Sequence, residues 1–380
     1  MQKTTPENQR LGLRLGLSNE VYRNQRRRIE TSQFESERNE AVHEVQPPNP
    51  LWKGEARSHA LGMAQKIILI FICSTVILFL TDTGWSYFPN LGAGARPMGM
   101  GGAYTGLADD ANAPFFNPAG LTQLMKRELT AMYSMLYVGL NPILYTGKTD
   151  RLGYHLVSFV QPLHQNTDTM AVSWLAFNSA FYDENIFTLS YARCLYLFPH
   201  RQKFPSLSAG LNIKILNLCI ETNEYTKLDS DLSTRGLSKS DATLDFSLLL
   251  GVTPKINLGL VAANIRPVNI GLIQQEEVPL RLAAGLSYRE GNTLQLIDIS
   301  WRNNLLNERK EINLSLGIEH WLFRQVCIRA GYNIKSISTG ASYRYGYSNY
   351  EMQLDYAFIY PLSSLVNTYG THRFALSVRF

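Results

Sequence analysis

Residues 351–358 read EMQLDYAF, and their side chains alternate between two faces. Met352 and Leu354 lie on one face, whereas Gln353 and Asp355 lie on the other. Because successive side chains of a strand point to opposite faces, this pattern predicts a β-strand with one apolar and one polar face. Charges of both signs occupy the polar faces. The same alternation recurs in three further segments, at 241–248, 311–319 and 373–380.

Short alternating runs fill the chain from Arg127 to Phe380, separated by Gly, Pro, Asn and Asp. This arrangement is typical of strands and hairpins. Strands of about 9–11 residues suit a tilted crossing of a bilayer, and an even strand count is expected of bacterial single-chain barrels. The sequence predicts fourteen strands, at 127–138, 153–163, 168–178, 185–198, 206–220, 239–251, 256–265, 279–289, 293–302, 311–322, 325–333, 336–346, 350–360 and 371–380.

Composition excludes several classes of protein. The net charge of +5 is spread along the 380 residues, which argues against a nucleic-acid partner. The mean hydropathy of −0.13 excludes a protein with many helical membrane spans. The four cysteines have no C-x-x-C spacing and no His at ligand spacing. No metalloprotease, hydrolase or nucleotide-binding motif is present, so we expect no enzyme, no cofactor and no metal site.

The N-terminal part divides into two predicted segments. Residues 1–62 form a polar leader without apolar periodicity, for which disorder is expected. Residues 63–86 resemble a signal peptide, because Lys66 precedes a run of about 14 mainly apolar residues. An uncleaved anchor helix is the alternative, although the run is shorter than the roughly 20 residues of a helical span. A signal peptide normally begins within a few residues of the start of a protein, whereas this one begins at residue 63. We therefore expect translation to start at Met63, with 1–62 an over-extended reading frame.

The export signal, the even strand count, the aromatic residues at strand ends and the terminal Phe380 together favour a membrane barrel. A soluble sandwich also alternates, but with its polar face outward. We therefore predict an all-β fold, a transmembrane antiparallel up-and-down β-barrel of about 14 strands. The polar interruptions at 221–238 and 266–278, and a third at 361–370, are predicted loops, and the long ones are expected to be extracellular.

The stretch 92–121 reads GAGARPMGMGGAYTGLADDANAPFFNPAGL. Its glycines permit unusual backbone conformations and a close approach to a wall. A dinucleotide-binding loop is excluded by Pro97 and by the lack of a preceding strand. Residues 107–113 predict one short helix with acids in its first turn, and adjacent Asp109 and Asp110 would point apart rather than form a catalytic dyad. Residues 117–120 predict a turn with a left-handed glycine.

This stretch resembles the N-terminal signature of the PorV/PorQ group, which belongs to the FadL-like outer-membrane barrels and is related to UPF0164 proteins. The segments 278–282, 329–332, 354–357 and 370–373 resemble strands of that family. The resemblance covers roughly 88–380. It implies a fourteen-stranded barrel at 126–380, with the segment 87–125 folded inward as a hatch.

The predicted sites follow from this resemblance and from the alternation. The hatch and ligand-path candidates are Gly99, Gly101, Gly102, Asp109, Asp110, Asn112, Asn117 and Pro118. The predicted lumen-facing charges are Asp241, Asp245, Arg281, Glu311, Glu319, Arg329, Arg344, Glu351, Asp355 and Arg373. They either fill the lumen or line a polar pore. The predicted assembly signal, to be read by the barrel-insertion machinery, comprises Phe374, Leu376, Val378 and Phe380.

The resemblance implies two activities in the bacterial outer membrane. PorV relatives serve type IX protein secretion and carry exported cargo, and the shorter chain favours this function. FadL relatives pass long-chain fatty acids or other hydrophobic molecules, which is the alternative. A structural barrel with a plugged lumen is a third possibility. The expected partners are outer-membrane lipid, the barrel-assembly machinery, and either a cargo protein or a hydrophobic small molecule.

Overall fold

The computed structural model describes the part of the chain that follows the predicted leader and signal. The described residues are 92–139, 152–164, 167–179, 182–195, 205–220, 237–272, 276–304, 309–362 and 368–380. The predicted leader at 1–62 and signal peptide at 63–86 lie outside them.

Fourteen strands follow one another along the chain and close into one barrel. They are β1 (Glu128–Met135), β2 (Gly153–His164), β3 (Asp168–Asn178), β4 (Tyr182–Leu195), β5 (Ser206–Ile220), β6 (Ser238–Thr253), β7 (Ile256–Ala263), β8 (Arg281–Glu290), β9 (Thr293–Asn304), β10 (Arg309–Trp321), β11 (Val326–Asn333), β12 (Ser336–Tyr347), β13 (Tyr350–Pro361) and β14 (Thr371–Arg379). The predicted number of strands is confirmed. The first strand is shorter than predicted, because Tyr137 adopts a positive φ of 47° just beyond its end.

Each strand pairs antiparallel with its neighbours in sequence, and β1 closes the barrel by pairing with β14. The closing register runs from Glu128 opposite Arg379 to Met135 opposite His372. Within it the hydroxyl oxygens of Thr130 and Ser377 lie 2.8 Å apart. No strand edge is left unpaired by this closure. The predicted up-and-down barrel is confirmed.

The two faces of the barrel wall invert the arrangement of a soluble protein. Val172, Leu260 and Leu354 are each more than half exposed on the outer face, whereas Glu319 and Arg329 are almost fully buried inside. An exposed apolar band around a polar interior is stable when lipid surrounds the barrel. The outward apolar face therefore excludes the soluble sandwich and supports a transmembrane barrel. None of the helices in the described part of the chain has the length and apolar character needed to cross a membrane.

The two ends of the barrel carry different connections. One end, here called the short-turn end, has tight turns at 254–255, 291–292 and 348–349. The other, called the loop-rich end, carries the β7–β8 connection at 264–280, of which 273–275 lie outside the described residues. The predicted loop at 221–238 falls almost entirely outside the described residues, and so does 363–367 of the loop at 361–370.

The described part of the hatch, residues 92–125, contains three short elements. Helix α1 spans Ala95–Met98, helix α2 spans Ala113–Phe116, and a 3-10 helix spans Pro118–Gln123. The helix predicted at 107–113 is wrong: this segment forms turns, and α2 begins only at its last residue. The turn predicted at 117–120 is instead the start of the 3-10 helix, with Asn117 accepting a hydrogen bond from the Ala119 amide at 3.1 Å.

Candidate functional site

The hatch crosses the lumen and lies directly against the barrel wall. Helix α1 packs on β12, β13 and β14, and the 3-10 helix packs on β3, β4, β5 and β6. Side chains such as Tyr104 and Leu121 are completely buried between hatch and wall. The hatch therefore shares the barrel's core and is part of its packed interior.

Glycines of the wall make this close approach possible. A Cβ atom on Gly331 would lie 2.0 Å from the Gly101 amide nitrogen, and one on Gly259 would lie 2.0 Å from the Thr105 carbonyl oxygen. Real Cβ contacts are not that short, so only glycine allows the hatch backbone to lie there. The wall glycines that contact the hatch are Gly210 on β5, Gly259 on β7, Gly285 on β8, Gly317 on β10, Gly331 on β11 and Gly340 on β12.

Arg96 of helix α1 is the centre of a buried ionic network. Its Nε and Nη2 atoms donate to the two carboxylate oxygens of Glu319 on β10, at 2.9 and 3.0 Å. Its Nη1 atom donates to Asp109 at 2.6 Å, to Asp110 at 3.0 Å and to the Tyr104 hydroxyl at 2.8 Å. Removing a buried arginine's partners leaves an uncompensated charge, so these contacts hold the hatch against the wall.

The network continues along the inner face of the barrel wall. Arg329 on β11 donates to Glu319 at 2.7 Å and to Asp355 on β13 at 3.0 Å, and its side chain is fully buried. Asp355 also accepts two hydrogen bonds from Gln353, at 2.9 and 3.1 Å. Acids and bases from β10, β11 and β13 thus neutralise one another on the inner face of the wall, as a polar interior requires.

The charge network perturbs the titration of Asp109 in the hatch. Burial by itself raises the pKa of the Asp109 carboxyl, but the guanidinium groups of Arg96 and Arg289 outweigh burial and hold that pKa below its usual value. Arg289 donates to Asp109 at 3.1 Å. The two aspartates do not lie in the first turn of a helix as predicted; Arg96, 13 residues before Asp109 in the chain, binds both of them.

Two further anchors hold the segment between α1 and α2. Asp298 on β9 accepts hydrogen bonds from the backbone amides of Tyr104 at 2.8 Å and Thr105 at 2.7 Å. The Asn117 side-chain amide donates to the carbonyl oxygens of Thr105 at 2.8 Å and of Leu248 on β6 at 3.2 Å. Buried backbone groups of the hatch are thus satisfied partly by the wall, through Asp298, and partly within the hatch, through Asn117.

The remaining hatch candidates have mainly conformational roles. Gly101 and Gly102 adopt positive φ values of 68° and 78°, whereas Gly99 is in the right-handed helical region and faces Gly340. Gly120 is not left-handed; the carbonyl oxygen of Ala108 would lie only 2.2 Å from a Cβ there. Two other candidates lie nearby, with Asn112 immediately before α2 and Pro118 beginning the 3-10 helix.

The predicted lumen charges lie in four places. Five lie buried inside the barrel, namely Asp245, Glu319, Arg329, Asp355 and Arg373. Arg344 and Glu351 are half-buried near the short-turn end, where Arg344 also lies over the Trp321 ring. Asp241 and Glu311 lie near the loop-rich end and pair with Arg266 and Lys335. Arg281 lines a cavity described below. The predicted assembly residues lie on β14 and at the chain end, with Phe374, Leu376 and Phe380 exposed.

Four important residues were not among the sequence candidates. No local sequence pattern marks Arg96 as a site residue, because its partner Glu319 lies 223 residues away in the chain. Asp298, Lys214 and Arg302 alternate with apolar neighbours in their strands, so the same period-two rule that selected the other lumen charges could have found them.

A cavity of about 100 Å³ lies between the hatch and the loop-rich end. Its apolar lining includes Phe115 and Phe116 of the hatch and Phe177, Ile186 and Leu216 of the wall. The polar lining residues are Glu184, Lys214, Asp245, Asn264, Arg281 and Arg302. A concave apolar site with a few polar groups is the usual form of a small-molecule site.

The β7–β8 connection covers this region of the lumen. Its residues Val268, Ile270 and Val278 form a buried cluster with Leu216. Asn264 fixes the start of the connection, because its side-chain amide donates to the Pro279 carbonyl at 3.0 Å. In the described part of the chain, Cys194, Cys219 and Cys327 are free thiols and no cluster of metal-ligating side chains occurs.

Several solved structures share this architecture. The Ralstonia pickettii toluene transporter TbuX is 12% identical with a TM-score of 0.54, and the match covers 77% of this chain and 99% of that one. The fold is that of the FadL-like barrels. The P. putida toluene transporter TodX is 10% identical with a TM-score of 0.53, covering 76% and 96%. A Pseudomonas aeruginosa FadL homologue is 13% identical with a TM-score of 0.51, covering 76% and 98%.

At these identities the similarity concerns the fold. No protein-family model matches the chain, and no curated protein matches it significantly.

Proposed function

We propose that this protein is a channel of the bacterial outer membrane that passes hydrophobic small molecules. The observation that carries the proposal is the cavity under the β7–β8 connection, lined by aromatic and aliphatic side chains inside a lipid-embedded barrel. The side chains of Phe115, Phe177, Ile186 and Leu216 give part of this cavity an apolar lining that suits the hydrocarbon part of a ligand. The similar folds of two toluene transporters and a FadL homologue support the same class of substrate.

The wall contacts of the hatch constrain how such a channel works. Backbone-to-glycine contacts on six strands, together with the Arg96–Glu319 pair, oppose movement of the hatch as one rigid plug. Within this proposal the substrate is first held in the cavity on the loop-rich side. Gly92 and Ala93 line this cavity, so this edge of the hatch is the part that would move when substrate binds.

Uptake of labelled toluene and labelled oleate by cells that lack their own hydrophobic-compound channel tests the proposal. Ala263 is buried against the cavity, whereas the adjacent Ala262 lies on the outer face. Ala263→Phe should fill the cavity and reduce uptake by about tenfold, whereas Ala262→Phe should leave uptake unchanged. No uptake above the empty-vector level by the unaltered protein, at normal membrane abundance, would contradict the proposal and favour the structural barrel.

The resemblance of the stretch 92–121 to the PorV/PorQ signature carries a second proposal, a role in type IX protein secretion. It predicts that the detergent-extracted barrel co-purifies with an exported protein domain after crosslinking in cells. An uptake-competent barrel that never crosslinks to secreted protein would remove this second proposal.

A further inference from the structure

Two arginines face each other on the wall of the cavity. Arg281 begins β8, and its direct cross-strand partner on β9 is Arg302. Both side chains line the cavity. Like charges directly opposite one another destabilise a strand pair, so this arrangement requires an explanation other than barrel stability.

Three acids lie near this pair, and among the described residues none of their hydrogen bonds or ion pairs goes to either arginine. Asp245 lies close enough to attract Arg281, but it accepts from Lys214 at 2.7 Å, from Asn212 at 2.9 Å and from the Asn264 amide at 2.9 Å. Asp298 attracts Arg281 as well; its Oδ2 atom accepts the two backbone amides of the hatch, whereas its buried Oδ1 atom has no hydrogen-bond partner among the described residues, Arg281 included.

Glu311 attracts Arg302, but it forms its ion pair with Lys335. Within the described part of the chain, no hydrogen bond or ion pair joins either guanidinium to a protein group. Their N–H donors are therefore available to a ligand.

We infer that Arg281 and Arg302 bind the phosphate group of an amphiphile whose tail lies along the apolar wall. This inference rests on the proposed function and names the head group of the substrate. A guanidinium offers a planar fork of donors that matches phosphate, and a phosphate monoester carries three acceptor oxygens and nearly two negative charges. Two guanidinium groups therefore match the oxygens and the charge of one phosphate. A carboxylate, with two oxygens and a single charge, matches only one guanidinium.

The dimensions of the cavity agree with this assignment. Its volume of about 100 Å³ is smaller than the ~150 Å³ of an engineered cavity that holds benzene. It accommodates a head group and the first carbons of a tail. The rest of the tail must extend beyond the cavity, and Phe115, Phe177 and Ile186 provide apolar surface for its start.

The test compares head groups on one tail. The full-length protein in nonionic detergent is titrated with dodecyl phosphate, dodecanoate, dodecanol and inorganic phosphate, and binding is measured by calorimetry. Dodecyl phosphate should bind about tenfold or more tightly than dodecanoate or dodecanol, since each charged hydrogen bond contributes on the order of a tenfold change or more. Inorganic phosphate should bind weakly, because it lacks the tail.

Arg281→Gln and Arg302→Gln should each weaken binding of dodecyl phosphate about tenfold and leave dodecanol unchanged. Arg344→Gln is the matched control, because Arg344 lies in the same lumen but outside the cavity, and it should bind normally. If a Gln variant does not fold, the head-group comparison on the unaltered protein decides.

Three outcomes contradict the assignment. Equal affinity for dodecyl phosphate and dodecanoate overturns it, as does normal phosphate binding by both Gln variants. Tight binding of inorganic phosphate alone shows a simple anion site without an amphiphile. If dodecanol and dodecanoate still bind in the first two cases, the hydrophobic channel stands; if no tailed compound binds at all, the proposed function fails as well.

Discussion

A single methyl group at Gly331 should separate the hatch from the wall. The Cβ atom of an alanine there would lie 2.0 Å from the Gly101 nitrogen and 2.2 Å from the Met100 carbonyl carbon. Both are backbone atoms, which cannot rotate away as a side chain can. The hatch backbone must therefore retreat by about 1 Å before the contact becomes tolerable in a close-packed interior.

The magnitude follows from what this retreat disrupts. Overpacking a close-packed interior costs about 1–3 kcal/mol. The Gly101 amide also donates to the Ser338 hydroxyl at 3.0 Å, and its carbonyl accepts from Asn333 at 3.1 Å. Weakening one of these buried bonds costs about 1 kcal/mol. Gly331→Ala should therefore lower the free energy of unfolding by about 2–4 kcal/mol.

Reversible urea unfolding of the barrel in lipid bilayers, followed by tryptophan fluorescence, measures this difference. Gly346→Ala is the matched control, because Gly346 lies in strand β12 and no atom lies within 4 Å of a Cβ placed there. Its free energy of unfolding should not fall. If Gly331→Ala and Gly346→Ala unfold at the same urea concentration, the hatch does not depend on close contact with the wall glycines, and the reasoning is wrong.

Three other substitutions test the polar contacts of the hatch. Glu319→Gln should cost about 3 kcal/mol of unfolding free energy, because two buried guanidiniums lose a shared carboxylate; Glu290→Gln, at an exposed pair, should be neutral in the same urea experiment. Asn117→Ala should cost about 2 kcal/mol through two lost donor contacts, and an unchanged urea midpoint would refute that role. The lowered pKa of Asp109 means that its stabilisation is present above its unfolded pKa of about 4 and is lost as the pH falls through the folded value. Asp109→Asn should therefore destabilise at pH 7 and converge with the unaltered protein in acid, and a pH-independent difference between the two unfolding curves would contradict this.

Strand number and the apolar or polar character of each face were readable from the sequence. Alternation with period two is a local property of extended backbone, so runs such as 351–358 could be recognised without their neighbours. Strand ends were less certain: Tyr137 ends β1 through its own backbone conformation, which the apolar pattern does not encode.

The inner architecture depended on the closed barrel. Adjacent Asp109 and Asp110 suggested a helix start by local rules, yet Arg96 binds both and places them in turns. Arg96 is positioned in turn by Glu319, which no local pattern links to it.

The position of the wall glycines against the hatch also could not be predicted from the sequence. Each one is an isolated glycine in a strand when the sequence is considered alone, with no sign of what lies beside it. Only closure of β1 on β14 brings the glycines from six strands around one lumen, where the hatch backbone can lie on them. The sequence by itself determined the strands and their two faces, because those depend on neighbouring residues. The tertiary structure decided where the hatch lies and how the cavity is lined, because those depend on contacts between residues far apart in the chain.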